Sequence, residues 1–412
     1  MKQVGNTEIL AGLDIGTTKV CAAIGELHED GRIDVVGANS TACTGVRKGV
    51  VVDMDSTVQA IRDAVDKAQR MYGYDIRTVI VGVTGEHISS LNSRGIVAIT
   101  HPSREITRED VERVIDESRV IVLPPDREII HAIPRGFSVD GQDGVKDPVG
   151  MSGARLEVET HIVTGATTFL QNITKCVARA GLEIEEIVLA QIATAEAVVF
   201  SAERDMGVAL IDIGGGSTDV GVFIGREIFY SSVVPVGGSH VTFDIGALLR
   251  ASLEESERIK TSYGSALMNL VDEDDSFDIL RLGAESPSVL PRREVLVKLI
   301  EPRMEEIFQM VRQEIIKSGY MDMLPAGVVL SGGGCQMPGT AELAEKVLGM
   351  PVRIGAPQGI GGLVDAVSSP VCATAVGLMK YAARQEAALR EEARASGLLS
   401  STFGRLKKMF KA

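Results

Sequence analysis

Two stretches of the chain share one pattern of apolar and small residues. Residues 9–25 and 208–225 each read as an apolar strand, an Asp-Ile-Gly turn with hydroxyl residues, and a second apolar strand that ends in Ile-Gly. The two turns lie about half a chain apart, a spacing far longer than the period of a solenoid repeat. The pattern therefore predicts two related domains in one polypeptide.

The residues after each repeat alternate between helical and strand-like periods, which is typical of an α/β fold. Ser56 is the expected N-cap of the first helix and Gly73 its expected end, while Thr107 and Asp110 match a capping box. The predicted helices cover residues 56–72, 107–119, 167–180, 191–203, 291–317, 339–348 and 371–394. The predicted strands outside the repeats cover residues 78–83, 184–190 and 326–331.

Two segments interrupt this alternation and are predicted to be insertions. Prolines break up residues 84–163, which favours a small α+β subdomain inside the first lobe, and residues 233–305 are mostly helical in pattern. The expected divisions are a first core (1–83, 164–203 and 371–390), the inserted subdomain (84–163), a second core (204–232 and 306–370), the helical subdomain (233–305), a linker (391–396) and a terminal amphipathic helix (397–412).

Composition narrows the class of protein. A chain of 412 residues exceeds one ordinary hydrophobic core, and 45% hydrophobic with 24% charged residues is typical of a globular protein. The net charge of −14 and the absence of Trp argue against a nucleic-acid partner. The five cysteines form no CxxC pair, so reduced thiols in a cytosolic protein are expected, with no signal peptide and no membrane span.

The turns of the two repeats carry the residues expected to bind phosphate. Glycine lacks a Cβ and accepts positive φ, so backbone N–H groups there can approach a phosphate closely. Neither turn has a GK[ST] ending or a helix after it, which excludes a P-loop and a dinucleotide-binding fold. The candidates are Gly16, Thr17, Thr18 and Lys19 in the first turn and Gly214, Gly215, Gly216, Ser217 and Thr218 in the second.

Further residues extend this candidate site. Asp14 and Asp212 precede the two turns and suit a Mg²⁺ ion held through water, because this ion loses its water ligands reluctantly. Gly332, Gly333 and Gly334 follow a predicted buried strand, so the backbone there can approach a nucleoside. Each motif alone is weak, but the combination predicts a site for ATP and Mg²⁺ between two hairpins.

This set of motifs resembles the superfamily of actin, Hsp70 and the sugar kinases. There the two hairpins and the strand-glycine turn are the phosphate-1, phosphate-2 and adenosine motifs. The sequence Ser-Glu-Arg-Ile-Lys at 256–260 resembles the helix that contacts adenosine, which implies Glu257 and Lys260 as further nucleotide contacts. The resemblance implies an actin-like two-lobed α/β fold with the nucleotide in the cleft between the lobes.

Over essentially the whole chain, the sequence resembles the FtsA family of bacterial cell-division proteins. The resemblance rests on LAGLDIGTTKVCAAIG, IVGVTGEHI with the insertion after it, VALIDIGGGSTDV, VPVGGSHVTFDI, ERIKTSYG, VVLSGGGCQMPG and the tail. It implies a polymerising, ATP-binding protein that tethers filaments of the tubulin-like protein FtsZ to the cytoplasmic face of the inner membrane at the division site. The inserted subdomain would serve self-assembly and contacts with late division proteins, and the helical subdomain would bind the C-terminal peptide of FtsZ.

The sequence departs from the superfamily where the helix that faces the γ-phosphate begins. Related filament ATPases often carry Glu-Pro there and actin a Gln, whereas residues 189–193 read Leu-Ala-Gln-Ile-Ala. Ala190 cannot orient a water, and Gln191 is the candidate that could. We therefore expect at most a weak ATPase, in which ATP mainly clamps the two lobes in a shape that assembles.

The end of the chain has the pattern of an interfacial membrane anchor. At 100° per residue its apolar side chains fall in an arc of about 140°, and its bases fall outside that arc. Such a helix binds anionic lipids modestly and reversibly, and self-assembly would strengthen the attachment by avidity. The residues concerned are Leu398, Leu399, Phe403, Leu406, Met409 and Phe410 on the apolar side and Arg405, Lys407, Lys408 and Lys411 on the basic side.

Other interpretations use the same residues. The terminal helix could instead dock on the protein's own body. A small-molecule kinase or another ATPase of the same fold would have no use for an amphipathic tail, and the pilus protein PilM would not be expected to end in one. An Hsp70-like chaperone needs a long C-terminal peptide-binding domain, and only about 40 residues follow Pro370.

Overall fold

The structure is a computed structural model that describes residues 3–4, 7–101, 103–272, 274–282 and 291–395. Among these residues, no helix is both long and apolar enough to cross a bilayer. The described ranges end at residue 395, so part of the predicted linker and the whole of the predicted terminal helix (397–412) lie outside them.

The strands follow the expected alternation with helices. In chain order they are β1 Gln3–Val4, β2 Thr7–Ile15, β3 Lys19–Leu27, β4 Ile33–Ala42, β5 Val46–Arg47, β6 Val50–Val51, β7 Thr78–Val83, β8 Ile88–Ala98, β9 Arg127–Val139, β10 Gln142–Val145, β11 Arg155–Ala166, β12 Glu183–Leu189, β13 Val208–Ile213, β14 Thr218–Ile224, β15 Glu227–Val234, β16 Val328–Ser331, β17 Val352–Ile354 and β18 Gly361–Gly362.

Every predicted helical segment of the body contains helix, although residues 191–203 form two helices and not one. They are α1 Met54–Tyr72, α2 Arg108–Arg119, α3 Thr167–Arg179, α4 Ala190–Val198, α5 Ser201–Met206, α6 Gly238–Leu249, α7 Leu253–Tyr263, α8 Arg293–Ser318, α9 Thr340–Leu348 and α10 Ala373–Ala395. Two short 3₁₀ turns matter below, at Gly333–Gln336 and Pro370–Cys372.

Helix α1 shows how local sequence sets the ends of an element. The prediction of Ser56 as its N-cap is wrong, because the helix begins earlier and Asp53 is the cap. The Asp53 carboxylate accepts hydrogen bonds from the backbone N–H groups of Asp55 and Ser56, and its negative charge is favoured at the positive end of the helix dipole. Gly73 ends the helix with φ 87°, as predicted.

Helix α2 confirms the predicted capping box. The Thr107 hydroxyl accepts from the Asp110 backbone N–H, and the Asp110 carboxylate accepts from the Thr107 backbone N–H. Each residue thereby satisfies a donor that the first turn of a helix leaves free.

The single helix predicted at 191–203 is wrong, because the chain forms two helices there. Val199 and Phe200 have extended backbone angles that separate α4 from α5. The β-branched pair before Phe200 disfavours helix continuation. Glu203 then accepts from the Phe200 backbone N–H at 2.8 Å, which gives the second helix its own cap.

The sheets of the two lobes have one topology, which confirms the two-lobed α/β fold read from the repeats. In the first lobe the order β4-β3-β2-β7-β12 is an antiparallel meander followed by two parallel strands. The second lobe repeats it as β15-β14-β13-β16-β17. In both lobes the sequence repeat is the central hairpin, so its turn lies at the same edge of the sheet.

The inserted segment forms a sheet of its own. Its order is β10-β9-β11-β8, and α2 packs on one face over a small apolar core that includes Val114, Leu156 and Val158. The chain enters this subdomain directly after β7 and leaves it into α3, so both connections belong to the first lobe.

Helices α4 and α10 join the lobes. They pack together in a core that combines first-lobe residues with Leu210 and Phe223 of the second lobe. Gly377 lies so close to the Ala193 carbonyl oxygen that any Cβ at 377 would overlap it. A missing side chain therefore sets the separation of the two helices.

Candidate nucleotide-binding site

The two glycine turns have matching local geometry. The Gly16 N–H donates to the Lys19 carbonyl at 2.9 Å, and the Gly214 N–H donates to the Ser217 carbonyl at 2.9 Å. Each bond closes the turn of a hairpin whose strands are buried and apolar. The sequence repeat thus produces two equivalent loops, one at the edge of each lobe's sheet.

These two turns touch each other across the lobes. A Cβ on Gly215 would lie 2.5 Å from Thr18 Cγ2, and a Cβ on Gly216 would lie 2.6 Å from Thr17 Oγ1. Real Cβ atoms do not approach other atoms that closely, so these glycines allow the two turns to meet. The predicted juxtaposition of one glycine turn from each lobe is therefore present in the structure.

A cavity that is partly open to solvent lies at this contact. Most of the residues predicted for the nucleotide line it: Asp14, Gly16, Thr17, Thr18, Lys19, Asp212, Gly214, Gly215, Gly216, Ser217, Gly332 and Gly333. It is also lined by Ile15, Gly49, Thr84, Ala190, Asp219, Pro370, Val371 and Thr374.

The cavity gathers carboxylates in a buried setting. Burial, and then the charge of Asp14, raise the pKa of Asp212 to about 6. Burial, and then the charge of Asp212, raise the pKa of Asp219 well above its usual range. Like charges held together out of water are unfavourable, so a cation placed among them would be stabilised.

Lys19 supplies the local positive charge. Its Nζ lies 3.0 Å from Asp14 Oδ2 and also donates to the Val371 carbonyl. Burial alone would lower the pKa of Lys19, but the charge and hydrogen bond of Asp14 outweigh it and hold the pKa above its usual value. Lys19 is therefore a fixed cation beside the first glycine turn, and its contact with phosphate stays a prediction.

Hydroxyl groups from three elements hold the carboxylates. Thr194 on α4 donates to Asp212 Oδ2 at 3.1 Å, and its Oγ1 lies 2.9 Å from that of Thr374 at the start of α10. Thr84, just after β7, donates to Asp219 Oδ1. Charged acceptors make such bonds stronger than neutral ones, so these threonines fix the orientation of the carboxylates.

The carboxylates of the cavity are the candidate partners of the expected Mg²⁺ ion. Among the described residues, no group of three or more His, Cys, Asp and Glu side chains is close enough to hold a metal directly. Two acidic groups with raised pKa values in the cavity wall nevertheless fit a hydrated Mg²⁺ ion that reaches the protein through water. Asp14 and Asp212 therefore remain the predicted partners of such an ion, and Asp219 joins them.

Gly332 and Gly334 allow two further close contacts. Gly332 has φ 81°, and a Cβ there would overlap Asp212 Oδ1. Gly334 packs on Ile213 in the same way and is not part of the cavity wall. The strand-glycine turn therefore presses the backbone against the second hairpin, and only Gly332 and Gly333 reach the cavity.

Three other predicted contacts lie outside the cavity wall. Thr218 is fully buried in β14, and its hydroxyl donates to the Val236 carbonyl at 2.8 Å. Glu257 and Lys260 pair with each other on α7 at 2.6 Å, and Lys260 also donates to the Gly238 carbonyl at 3.1 Å. Because Gly238 N donates to the Gly214 carbonyl at 2.9 Å, this pair lies one layer behind the second glycine turn.

Gln191 does not line the cavity. Successive helix residues point about 100° apart, so Ala190 at the start of α4 faces the cavity while Gln191 turns away. The Gln191 side chain is fully buried and its Nε2 donates to the Ser232 carbonyl at 3.2 Å. In this structure it is therefore not positioned to orient a water in the cavity.

The structure also shows cavity residues that sequence reasoning missed. Asp219 had a local signal, because it lies directly opposite Asp212 in the second hairpin. No local sequence pattern indicated that Thr84 or Thr374 would line the cavity, because each lies at the end of an ordinary strand or helix. The membrane-binding residues predicted at 398–411 lie outside the described residues.

Known families match both the insertion and the second half of the chain. A family model described as "SHS2 domain inserted in FTSA" matches residues 85–164. One described as "Cell division protein FtsA" matches residues 209–377. A cell division protein FtsA from Pseudomonas aeruginosa is 43% identical over 386 residues, which cover 94% of this chain and 92% of the relative.

Solved structures share the fold at low sequence identity. The PilM-PilN type IV pilus biogenesis complex matches with TM-score 0.66 and 17% identity over 91% of this chain and 98% of that one. MreB 5 of Spiroplasma citri bound to AMPPNP matches with TM-score 0.53 and 13% identity over 93% of this chain and 99% of that one. These likenesses confirm the actin-like fold.

Proposed function

Because this chain belongs to the FtsA family of cell division proteins, we propose that it is an ATP-binding, polymerising division protein. In this role it tethers FtsZ filaments to the cytoplasmic face of the inner membrane at the division site. It also recruits later division proteins during septum assembly. ATP holds its two lobes together, the helical subdomain binds FtsZ, and the terminal segment binds the membrane.

The observation that carries the proposal is the contact between the glycine turns of the two lobes. Gly215 and Gly216 meet Thr18 and Thr17 with no room for a Cβ, beside a cavity lined by carboxylates and Lys19. A solved MreB of the same fold was determined with AMPPNP bound, which supports an adenine nucleotide here. Backbone N–H groups of the turns would bind the phosphates, and Asp14, Asp212 and Asp219 would hold a hydrated Mg²⁺.

Bound Mg²⁺ would neutralise charge on both the phosphates and the carboxylates. The residues of this chain would do the positioning. Thr194 and Thr84 hold the two buried carboxylates, and Lys19 places a cation beside the first turn. Since Ala190 occupies the cavity wall where a water-orienting side chain would help hydrolysis, ATP serves here mainly as a clamp.

The direct test of this proposal is ATP binding by the purified protein. Equilibrium binding of a fluorescent ATP analogue in millimolar Mg²⁺ should be saturable and competed by ATP. It should weaken when EDTA removes the metal. Absence of any ATP affinity in millimolar Mg²⁺ would refute the nucleotide assignment.

The helical subdomain offers a surface for a partner peptide. Leu248, Leu253, Leu280 and Leu282 are between 45% and 70% exposed. They share one region, because the Leu282 N–H donates to the Arg250 carbonyl at 2.9 Å next to the start of α7. Clustered exposed leucines beside a base are typical of a peptide-binding surface.

A pull-down with the C-terminal peptide of FtsZ tests this surface. Leu282→Asp should reduce capture, because a charge on the docking surface must be desolvated on binding. Leu270→Asp is the matched control, since Leu270 is 49% exposed on a separate turn of the same subdomain. Equal capture by both variants would exclude this surface as the FtsZ site.

The terminal segment is proposed as the membrane contact on its sequence pattern. Four bases and no acid occur between Gly397 and Ala412 in a chain of net charge −14. Each base near an anionic leaflet is worth about 1 kcal/mol. Full-length protein should co-pellet with anionic liposomes and protein lacking residues 397–412 should not. Equal pelleting of both would show that the body binds the membrane.

A further inference from the structure

The inserted subdomain is connected to one lobe but docks on the other. Both of its chain connections belong to the first lobe, after β7 and before α3. Its strands β8, β9 and β11 nevertheless pack against β15, the edge strand of the second-lobe sheet. The subdomain therefore bridges the two lobes on either side of the cleft.

Arg135 on β9 is the main contact of this bridge. Its guanidinium carbon lies 4.2 Å from the ring centroid of Phe229 on β15 and 5.3 Å from that of Tyr320 after α8. It also donates to the Tyr320 hydroxyl, and its Nη1 lies 3.4 Å from Glu159. The two rings meet edge to face at 86°, so they form two walls of a box around a cation from the other lobe.

Two polar contacts on Ser231 extend the interface between the inserted subdomain and β15, which is called the dock below. Ser90 Oγ donates to the Ser231 carbonyl at 2.7 Å, and His161 Nε2 lies 3.0 Å from Ser231 Oγ. His161 Nδ1 lies 2.8 Å from Asn92 Oδ1. A neutral imidazole that donates to Asn92 can accept from the Ser231 hydroxyl, so the bond network assigns one tautomer. These contacts fix the subdomain against the second lobe in one register.

The same subdomain reaches into the cavity through its first residue. Thr84 lines the cavity, and its hydroxyl donates to Asp219 of the second-lobe hairpin. Gly49 packs against Thr84, and Lys48 lies 2.8 Å from Glu86. A ligand that orders the Asp219 carboxylate therefore also orders the point where the chain enters the inserted subdomain.

From these contacts we infer that docking of the inserted subdomain on the second lobe and nucleotide binding are coupled, with Arg135 as a positioning residue that acts from outside the cavity. The inference rests on the proposed ATP binding. Opening the cleft moves the lobes apart. Because the subdomain is covalently joined to the first lobe, this motion would pull Arg135 away from Phe229 and Tyr320. Nucleotide that closes the cleft favours the docked position, and docking favours nucleotide binding to the same extent.

The dock is suited to a reversible role because it is costly to form. The Arg135 side chain is 2% exposed, its Nε has no hydrogen-bond partner, and the carboxylate nearest to it is 54% exposed. A cation–π contact gains strength when it is desolvated, but the cost of burying the charge offsets part of that gain. A contact with a small net free energy is one that a ligand can shift.

The test compares Arg135→Gln with Arg113→Gln. Arg113 donates to Asp110 and to the Ala98 carbonyl, wholly within the inserted subdomain, so it is the matched control. ATP affinity and backbone hydrogen exchange in β9 and β15 are measured for both variants and the wild type, with and without Mg²⁺ and ATP. We expect Arg135→Gln to weaken ATP affinity about five- to tenfold, at the lower end of known coupling effects, and Arg113→Gln to leave it unchanged.

The exchange data separate coupling from a merely structural role. In the wild type, ATP should slow exchange in β9 and β15, and in Arg135→Gln it should do so much less. Wild-type affinity in Arg135→Gln, with exchange showing that the dock is open, would overturn the inference, and so would a wild-type dock that ATP does not protect. Should Arg135→Gln fail to fold, Tyr320→Phe, which removes only a hydroxyl, should move both readouts in the same direction. No ATP binding by the wild type would instead refute the proposed function.

Discussion

The contact between the two glycine turns gives the sharpest prediction, through Gly216→Ala. A Cβ at 216 would lie 2.6 Å from Thr17 Oγ1 and 3.0 Å from the Lys48 backbone nitrogen. Thr17 can rotate, but a backbone nitrogen moves only with its hairpin, so the variant must separate the turns. Inserting a methyl group into packed structure costs about 1–3 kcal/mol.

This free-energy cost destabilises the closed cleft, which is the form that binds nucleotide. Since about 1.4 kcal/mol corresponds to a factor of ten, ATP affinity should fall about five- to 150-fold. Competition with a fluorescent ATP analogue measures the affinity, and circular dichroism measures the melting temperature. Gly136→Ala is the matched control, because a Cβ at 136 meets no atom within 4 Å. It should bind ATP as the wild type does.

A second variant keeps this reasoning falsifiable. Thr17→Ala removes the closer of the two contacts but also a cavity-lining side chain, so the single variant is the reference. If the cause is steric, Gly216→Ala should weaken ATP binding less in the Thr17→Ala background than in the wild type. A folded Gly216→Ala protein with wild-type ATP affinity would show that the turns do not grip a nucleotide together. An equal loss from Gly216→Ala in both backgrounds would show that the loss has another cause.

Three further predictions follow from buried groups. Asp212→Asn should stabilise the nucleotide-free protein by about 1–3 kcal/mol above pH 6, because it removes a carboxylate whose pKa burial and Asp14 raise to about 6, while Mg²⁺-dependent ATP binding should fall. Burial lowers the pKa of His87 from 6.5 to about 4, so the unfolded chain takes up a proton before the folded chain as the pH falls. The free energy of unfolding of the wild type should therefore fall by about 2 kcal/mol between pH 7.5 and 5 because of this group. His87→Phe should reduce this pH dependence in urea titrations. Gly377→Ala should cost about 3 kcal/mol or more in thermal unfolding, because its Cβ would overlap the Ala193 carbonyl oxygen, and wild-type stability would contradict the close helix crossing.

The central hairpins were predictable because their chemistry is local. A four-residue turn at 214–217 places Ile213 opposite Thr218 and Asp212 opposite Asp219. Side chains alternate between the two faces of a strand, so Asp219 shares the face of Asp212 and Thr218 takes the other. The sequence could therefore have identified Asp219 as a cavity residue and Thr218 as a buried one.

The supports of these carboxylates could not be predicted in the same way. Thr194, Thr374 and Thr84 come from α4, α10 and the end of β7, and each has the local pattern of an ordinary helix or strand terminus. What brings Thr194 and Thr374 together is the packing of α4 on α10, which depends on the absence of a side chain at Gly377, whereas Thr84 reaches Asp219 from the other lobe. The direction of the Gln191 side chain could not be predicted either, because a one-residue shift in the start of a helix turns a side chain by about 100°.

The glycines of the second turn differ in kind from those that end helices. Gly73 is required by its own backbone, which has φ 87°. Gly215 and Gly216 have no such φ and are required only because residues of the other lobe lie against them. A constraint of that kind exists only while the lobes are closed. Nucleotide binding and lobe closure therefore involve the same contacts, and a ligand bound in this cavity acts directly on the relative position of the two lobes.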